Sequence, residues 1–381
     1  MKRRARGVLF LLTAAAVLWT ASAAAPAGSA AEAAESLGLA LLRYERGDFP
    51  RLGGMSLPAA LALSQTPLLL AAPLAEAPAE EEPPRETPPE AENAPPSAER
   101  QSAAESGAER AEDAPEPPPV SSRDNGVPAV TLRPADPSDY VIRGGVFVNH
   151  ASDAALRAED LEGAFALLPE GEGPKVLILH THGCEAYTMP EGEEYEQTDD
   201  HRTLDESRNV LRVGDEIARV LEERGIATLH DRTLYDYPSY SGAYNRSLDT
   251  AERLREEYPS LLYVLDVHRD AIADAAGKQF KVVSAEEPDT AQLEFVIGSD
   301  GGGLEHPRWR ENLRLAAAVQ ETLLSAHPTL LRPIVVRNSR YNQQLSPGAL
   351  LLEVGAAGNS LSEALNAARL FAEGFADTVT R

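Results

Sequence analysis

Cysteine occurs once in 381 residues, at Cys184. One thiol cannot build an intramolecular disulfide framework or a cysteine-based structural zinc site, so stability must come from a hydrophobic core. Any metal must be held by His, Asp or Glu. Positive charge is also scarce: 35 Lys and Arg against 60 Asp and Glu give a net charge of −25. Nucleic-acid recognition needs a basic footprint, and this deficit excludes it. There is no Gly-x-Ser-x-Gly elbow and no His-Glu-x-x-His helix, so serine hydrolase and zincin readings have no support. Gly301, Gly302 and Gly303 lack the spacing and acidic partner of a dinucleotide fingerprint and read as a turn.

The first third of the chain has little that could pack. Lys2, Arg3, Arg4 and Arg6 precede an uncharged run over residues 7–31, apolar at 8–12 and 17–19. Basic residues before such a run favour a cytoplasmic N-terminus, and the length suits a signal anchor over residues 1–31. The small residues Ala21, Ser22 and Ala23 leave cleavage by a signal peptidase open; either way the rest of the chain is exported. A juxtamembrane region, 32–72, holds short apolar pieces at 37–42 and 57–70 with no assignable function. Residues 73–119 carry 12 of the 29 prolines, and 13 acidic residues face 3 basic ones between Glu76 and Glu116. Residues 73–135 are therefore expected to be a disordered Pro/Glu/Ala-rich linker. At ~3.1 Å per residue it would reach on the order of 100–150 Å, a passive spacer. The expected placement is single-pass in the cell membrane, with the folded domain outside the cytoplasm.

From 136 to 381 the pattern alternates. Buried strands are expected at 175–180, 226–229, 261–266, 292–298, 334–337 and 349–354. Between them Val210, Val213, Ile217 and Val220 recur at helical spacing up to Gly225, residues 244–258 read as a helix, and Pro307 can open another. Ser360 with Glu363 forms a capping-box pattern before a stripe of Leu361, Leu365, Ala368, Phe371, Phe375 and Val379. The expected fold is α/β, three-layer, with a mostly parallel or mixed sheet and helices on both faces.

Ligands in open α/β sheets gather at the carboxyl ends of the strands. Three strand ends here carry His180-Thr-His182-Gly-Cys-Glu185, Asp266-Val-His268-Arg269-Asp270 and Glu353-Val-Gly355. Hydrolytic zinc is usually held by three His and Asp/Glu ligands with one position left for water. A free carboxylate must then take the water's proton and pass it to the leaving amine. His182 and His268 are expected as ligands and Glu353 as the acid/base. Asp205 is expected as the acidic ligand, with Glu185 and Glu206 as alternatives. Asp205 could equally be an ordinary helix N-cap. His180 suits a role in orienting a ligand; Glu185, Arg269 and Asp270 are expected to support the site or bind substrate. Two aromatic loops, residues 235–240 and 341–344, are of the kind that line glycan or peptide grooves, or are simply surface. Cys184 reads as a small residue filling space beside a turn.

Several stretches are similar to the stage II sporulation protein P family, SpoIIP. They are residues 177–187 (LILHTHGCEAY), 209–216 (NVLRVGDE), 230–247 (HDRTLYDYPSYSGAYNRS), 265–271 (LDVHRDA), 298–312 (GSDGGGLEHPRWREN) and 339–359 (SRYNQQLSPGALLLEVGAAGN). The resemblance spans about 136–381 and implies a zinc amidase fold related to N-acetylmuramoyl-L-alanine amidases. It implies ligands at His182 and His268 and a catalytic Glu353. It prefers Asp205 as the acidic ligand because an acid precedes Asn209 at that distance in the wider group, though there it is Glu. It also implies amidase and endopeptidase action on septal peptidoglycan during forespore engulfment, with the membrane partners SpoIID and SpoIIM. Two other readings remain at this point: an inactive, wall-binding scaffold of amidase-like fold, and an exported zinc carboxypeptidase or amidase acting on free peptides.

Overall fold

Successive residues of a strand face opposite sides of its sheet, and that parity positions everything of interest in this protein. The computed structural model describes residues 120–134, 136–274 and 277–381. The expected membrane segment, the juxtamembrane region and most of the expected linker lie outside them. No helix among the described residues is long and apolar enough to cross a membrane.

In chain order the elements are β1 (Ala129–Val130), β2 (Val141–Arg143), β3 (Val146–Ala151), β4 (Val176–Leu179), α1 (Val210–Glu223), β5 (Thr228–His230) and α2 (Ala243–Glu257). Then follow β6 (Tyr263–Asp270), β7 (Lys281–Val282), β8 (Leu293–Gly298), α3 (Trp309–Leu324), β9 (Ile334–Arg337), β10 (Gly348–Ala356) and α4 (Leu361–Val379). Eight strands form one mixed sheet in the order β2-β3-β9-β8-β10-β6-β4-β5. Neighbours run parallel except β2 with β3 and β8 with β10. The fold is thus mixed α/β, as the alternating pattern predicts. The reversal of β8 against β10 is not legible in that pattern, because an apolar strand carries no mark of its direction.

Helix ends follow the expected chemistry. Asn209 caps α1 by accepting from Leu211 N at 3.0 Å, and Gly225, at φ 79°, lets the chain leave it. The capping box of α4 is closed: Ser360 Oγ accepts from Glu363 N, and Glu363 Oε2 accepts from Ser360 N.

Helices α1, α3 and α4 cover one face of the sheet. Val176, Ile178, Tyr263, Leu265, Val267, Phe295, Leu350 and Leu352 meet Trp309, Phe371 and Phe375 there in the main core. Each such side chain, fully buried, contributes about 1.5–3 kcal/mol. The residues of opposite parity, Leu177, Leu179, Val264 and Ala349, pack under Ala251 and Leu254 of α2 in a much smaller cluster. One face is thickly covered and the other thinly.

The packed chain begins before residue 136, which corrects the expected extent of the linker. Ala129–Val130 pairs in parallel with Lys281–Val282 as a separate two-stranded ladder. Asn125 Nδ2 donates to Thr188 O at 2.9 Å and Gly358 O at 3.0 Å. These backbone partners satisfy a segment whose own side chains are too few and too polar to predict order.

Candidate metal centre

β6 is long enough to bring both Asp266 and His268 to the thinly covered face, since residues two apart share a side. Cross-strand register extends the row: Glu353 of β10 sits opposite His268, and on its other side opposite Glu294 of β8. His182 and Glu185 arrive from the loop after β4. That loop closes as a tight turn, with Glu185 N donating to His182 O at 3.1 Å. Gly183 permits the turn, because a Cβ there would lie 2.9 Å from Leu234 Cδ2 and 3.1 Å from Leu211 Cδ1.

His182, Glu185 and His268 converge, with potential ligand atoms all within 4.8 Å of one another. Glu185 Oε1 lies 3.6 Å from His182 Nδ1, and Glu185 Oε2 lies 3.3 Å from His268 Nδ1. Two imidazoles and one carboxylate are a donor set that suits zinc. The far nitrogen of His268, Nε2, lies 2.9 Å from Asp266 Oδ1. Asp266 is itself fixed by Thr181, which donates through N at 2.8 Å and Oγ1 at 2.7 Å. A carboxylate behind a ligand histidine sets its tautomer and raises its basicity.

The charges are arranged for cation binding. Burial alone would raise the Glu185 carboxyl, yet Arg269, His182 and His268 hold it well below the usual range. Burial would lower His268, but Asp266 and Glu185 hold it well above an ordinary histidine. A proton on His268 thus occupies the place where a metal would bring its own positive charge. Glu353 differs: burial, then the Asp270 carboxylate, pushes it up to about 8, and its Oε2 has no hydrogen-bond partner. Glu294 is raised to about 7, chiefly by burial. Arg332, almost fully buried, reaches Asp270 Oδ2 at 2.7 Å and Glu294 Oε1 at 3.4 Å.

The acidic member of the group is Glu185, and Asp205, the acid expected there, lies outside it. Asp205 is exposed, and its carboxylate accepts from Ser207 N at 3.0 Å and Ser207 Oγ at 2.6 Å, closing a local turn. The cap of α1 is Asn209 instead, so Asp205 fills neither role. Glu206 pairs with Arg232 at 2.8 Å and also lies outside the group. Arg269 is buried and braces the turn, donating through N to Glu185 Oε2, through Nε to Ala186 O and through Nη2 to His201 O. Asp270 holds Arg332. His180 contacts none of the three: it lies on the thickly covered side, with Nδ1 2.8 Å from Val267 O and Nε2 2.9 Å from His230 Nε2. Burial and the neighbouring His230 bring its pKa down to about 3, so it is neutral. Cys184 is buried, and burial with the Asp236 carboxylate pushes its thiol up to about 12, leaving it unreactive near neutrality.

Aromatic residues wall the group. Tyr240 stacks on His182 with centroids 4.4 Å apart, and Tyr244 meets the same ring edge-on at 5.6 Å. Tyr341 packs against Tyr244 at 5.9 Å. Both loops read as groove-lining candidates therefore border the site. Sequence reasoning passed over Asp266, Glu294 and Arg332. Asp266 had a usable signal in its two-residue spacing from His268; the others depend on partners distant in sequence.

A family model described as Stage II sporulation protein P (SpoIIP) matches residues 64–376. The stage II sporulation protein P of Bacillus subtilis (strain 168) is 28% identical over 221 residues, covering 54% of this chain. The match spans about half, 51%, of that relative's length. Among solved structures, the N-acetylmuramoyl-L-alanine amidase AmiC2 of Nostoc punctiforme is 16% identical, covering 55% of this chain and 97% of that one, at a TM-score of 0.31. The CwlD amidase from Clostridioides difficile, solved in complex with the GerS lipoprotein, is 14% identical over 53% of this chain and 94% of its own, at 0.35. Likenesses this slight decide neither activity nor site. The family match, extending over most of the length, does decide kinship: this chain belongs to the stage II sporulation protein P family.

Proposed function

We propose that this protein is a zinc-dependent peptidoglycan hydrolase of sporulation that cleaves the N-acetylmuramoyl–L-alanine amide, and stem-peptide bonds as an endopeptidase. The observation that carries the reading is the convergence of His182, Glu185 and His268 beside Glu353, whose Oε2 is buried without a hydrogen-bond partner. A wall-binding scaffold has no use for a carboxyl held without a partner at that position, because such a group costs stability.

His182, Glu185 and His268 would hold the zinc. When bound, it supplies Lewis acidity that lowers the pKa of water and polarises a carbonyl. Asp266 keeps the His268 ring in orientation. Glu353 takes the proton of the attacking water at its free oxygen and returns it to the departing amine. A carboxyl placed there, free of any other partner on that oxygen, can serve as base to the water and then as acid to the amine. Tyr240, Tyr244 and Tyr341 form an apolar wall against which a glycan or stem peptide can lie.

The tethering role follows from the sequence reading: a membrane anchor at residues 1–31 with a long spacer would let the domain work on wall above the membrane. SpoIID and SpoIIM are the partners proposed for it. The test is to incubate the full chain with peptidoglycan and zinc and identify the fragments by mass spectrometry. Intact stem peptides parted from glycan, absent with His182→Ala, support the amidase; cleaved cross-links support the endopeptidase. Undigested wall that retains the protein would favour the scaffold.

A further inference from the structure

Residues 199–202 end in an arginine, Arg202, brought to the metal group. His201 adopts φ 51°, a conformation disfavoured for a residue with a Cβ. Its carbonyl is gripped by Ala186 N at 2.9 Å and Arg269 Nη2 at 2.9 Å. Arg202 pairs with Glu185 in an antiparallel bridge. Its guanidinium then lies over the Tyr240 ring, 4.8 Å from the centroid, while that ring stacks on His182. Nη1 is held by Asp236, and Nη2 lies 3.4 Å from Glu185 Oε1. The fork has further N–H donors beyond these two contacts.

The placement is directional. Glu353 borders the group on the His268 side, through cross-strand pairing, whereas Arg202 borders it on the side of His182 and Glu185. Carboxylates outnumber cations nearby, and the other two arginines are buried and committed, Arg269 to Ala186 O and His201 O and Arg332 to Asp270 and Glu294. Hydrolysis of an amide places negative charge on the carbonyl oxygen, and a fixed cation aimed there stabilises the transition state. We propose that Arg202, braced by Tyr240 and Asp236, is a catalytic residue that donates to the carbonyl oxygen of the scissile amide. In the step, the water oxygen bonds to the carbonyl carbon and the π pair moves onto the carbonyl oxygen, to which Arg202 N–H donates a hydrogen bond. Glu353 takes the water's proton. The pair then returns, the C–N bond breaks, and the amine leaves with the proton from Glu353.

This inference rests on the hydrolase reading, so the experiment separates the two. The full chain, with Arg202→Met, Arg202→Lys and Tyr240→Leu, is assayed on a soluble muramoyl peptide. Zinc affinity is measured by chelator competition, and affinity for a phosphinate analogue of the amide by calorimetry. Arg202→Met is expected to lower kcat about 100-fold, with KM and zinc affinity within about two-fold. Phosphinate affinity should fall in parallel with kcat, while affinity for the product peptide stays put. Arg202→Lys and Tyr240→Leu should fall between, which keeps a readout if the Met variant does not fold. Unchanged phosphinate affinity, or zinc affinity falling along with activity, would overturn the proposal and leave Arg202 as a brace for Glu185 and Asp236. A wild-type chain that binds zinc yet hydrolyses nothing, or binds no zinc, would overturn the hydrolase reading and this inference with it.

Discussion

Two histidines of this protein sit near neighbouring strand ends and have opposite surroundings. His180 points into the face covered by α1, α3 and α4, where burial and His230 keep it neutral and its contacts are a backbone carbonyl and that second ring. His268 lies on the face covered by α2, between Asp266 and Glu185, whose charges raise it above an ordinary histidine against the effect of burial. Strand parity separates them. The thick face has apolar layers with which to build a core. The thin face leaves room at the strand ends for charged groups that would be intolerable in that core. A site can therefore be located by asking which face of a sheet is short of helices.

The largest expected effect tests the thin face directly. Glu185→Ala or His268→Ala removes one of three donors and should abolish measurable zinc binding and turnover together. Chelator competition and fragment analysis check this; a variant that kept zinc at wild-type affinity would show that the metal sits elsewhere. Glu353→Gln should separate the two properties, keeping zinc while turnover falls by a factor on the order of 10³ or more.

Next in size is the thick face. His180→Ala should cost about 2–3 kcal/mol, since it opens a buried space and orphans the Val267 carbonyl. Zinc affinity and the KM of the surviving folded protein should hardly change, because His180 touches no ligand. Denaturant unfolding and zinc titration together make the measurement. A large loss of zinc affinity without loss of stability would erase the distinction between the faces.

Titration offers a smaller effect. Glu353 and Glu294 are raised on folding, to about 8 and about 7, so they favour the fold below the ordinary glutamate range and lose that contribution as pH rises through those values. His268, raised also, acts in the same direction. Glu185 and Asp266, both lowered, contribute above the ordinary carboxylate range and lose it only in acid. The metal-free protein should therefore lose on the order of 1–3 kcal/mol between pH 5.5 and 8.5. Glu294→Gln should flatten part of that slope. An unchanged slope would mean that Glu294 is not a raised acid.

Much of this was legible in the residues. Apolar runs of strand length, the helical stripe of Phe371 and Phe375, and the box of Ser360 with Glu363 depend on local chemistry, and local chemistry is what a sequence records. That His182, His268 and Glu353 would lie together at one sheet edge was legible because strand ends are where ligands collect. The direction of β8 was not, and with it Glu294 stayed hidden, since its place opposite Glu353 exists only through antiparallel pairing. The packed segment before residue 136 was hidden for a related reason: its hydrogen bonds go to Thr188, Lys281 and Gly358, far along the chain.

Asp205 and Glu185 give the smallest expected effect and the sharpest contrast. Both are acids in the segments between β4 and α1, and the family resemblance favoured the former. What separates them is the path of the backbone. A turn of i to i+3 returns Glu185 beside His182, and bridging to Arg202 holds it there. Asp205 has already been carried to the surface by the segment leading into α1, where its carboxylate serves Ser207. Asp205→Ala should therefore leave zinc affinity and kcat within about two-fold and cost no more than about 0.5–1 kcal/mol, the worth of a local side-chain-to-backbone bond. Zinc titration of this variant beside Glu185→Ala decides between the two acids: loss of zinc with Asp205→Ala and retention with Glu185→Ala would reverse the assignment made from geometry.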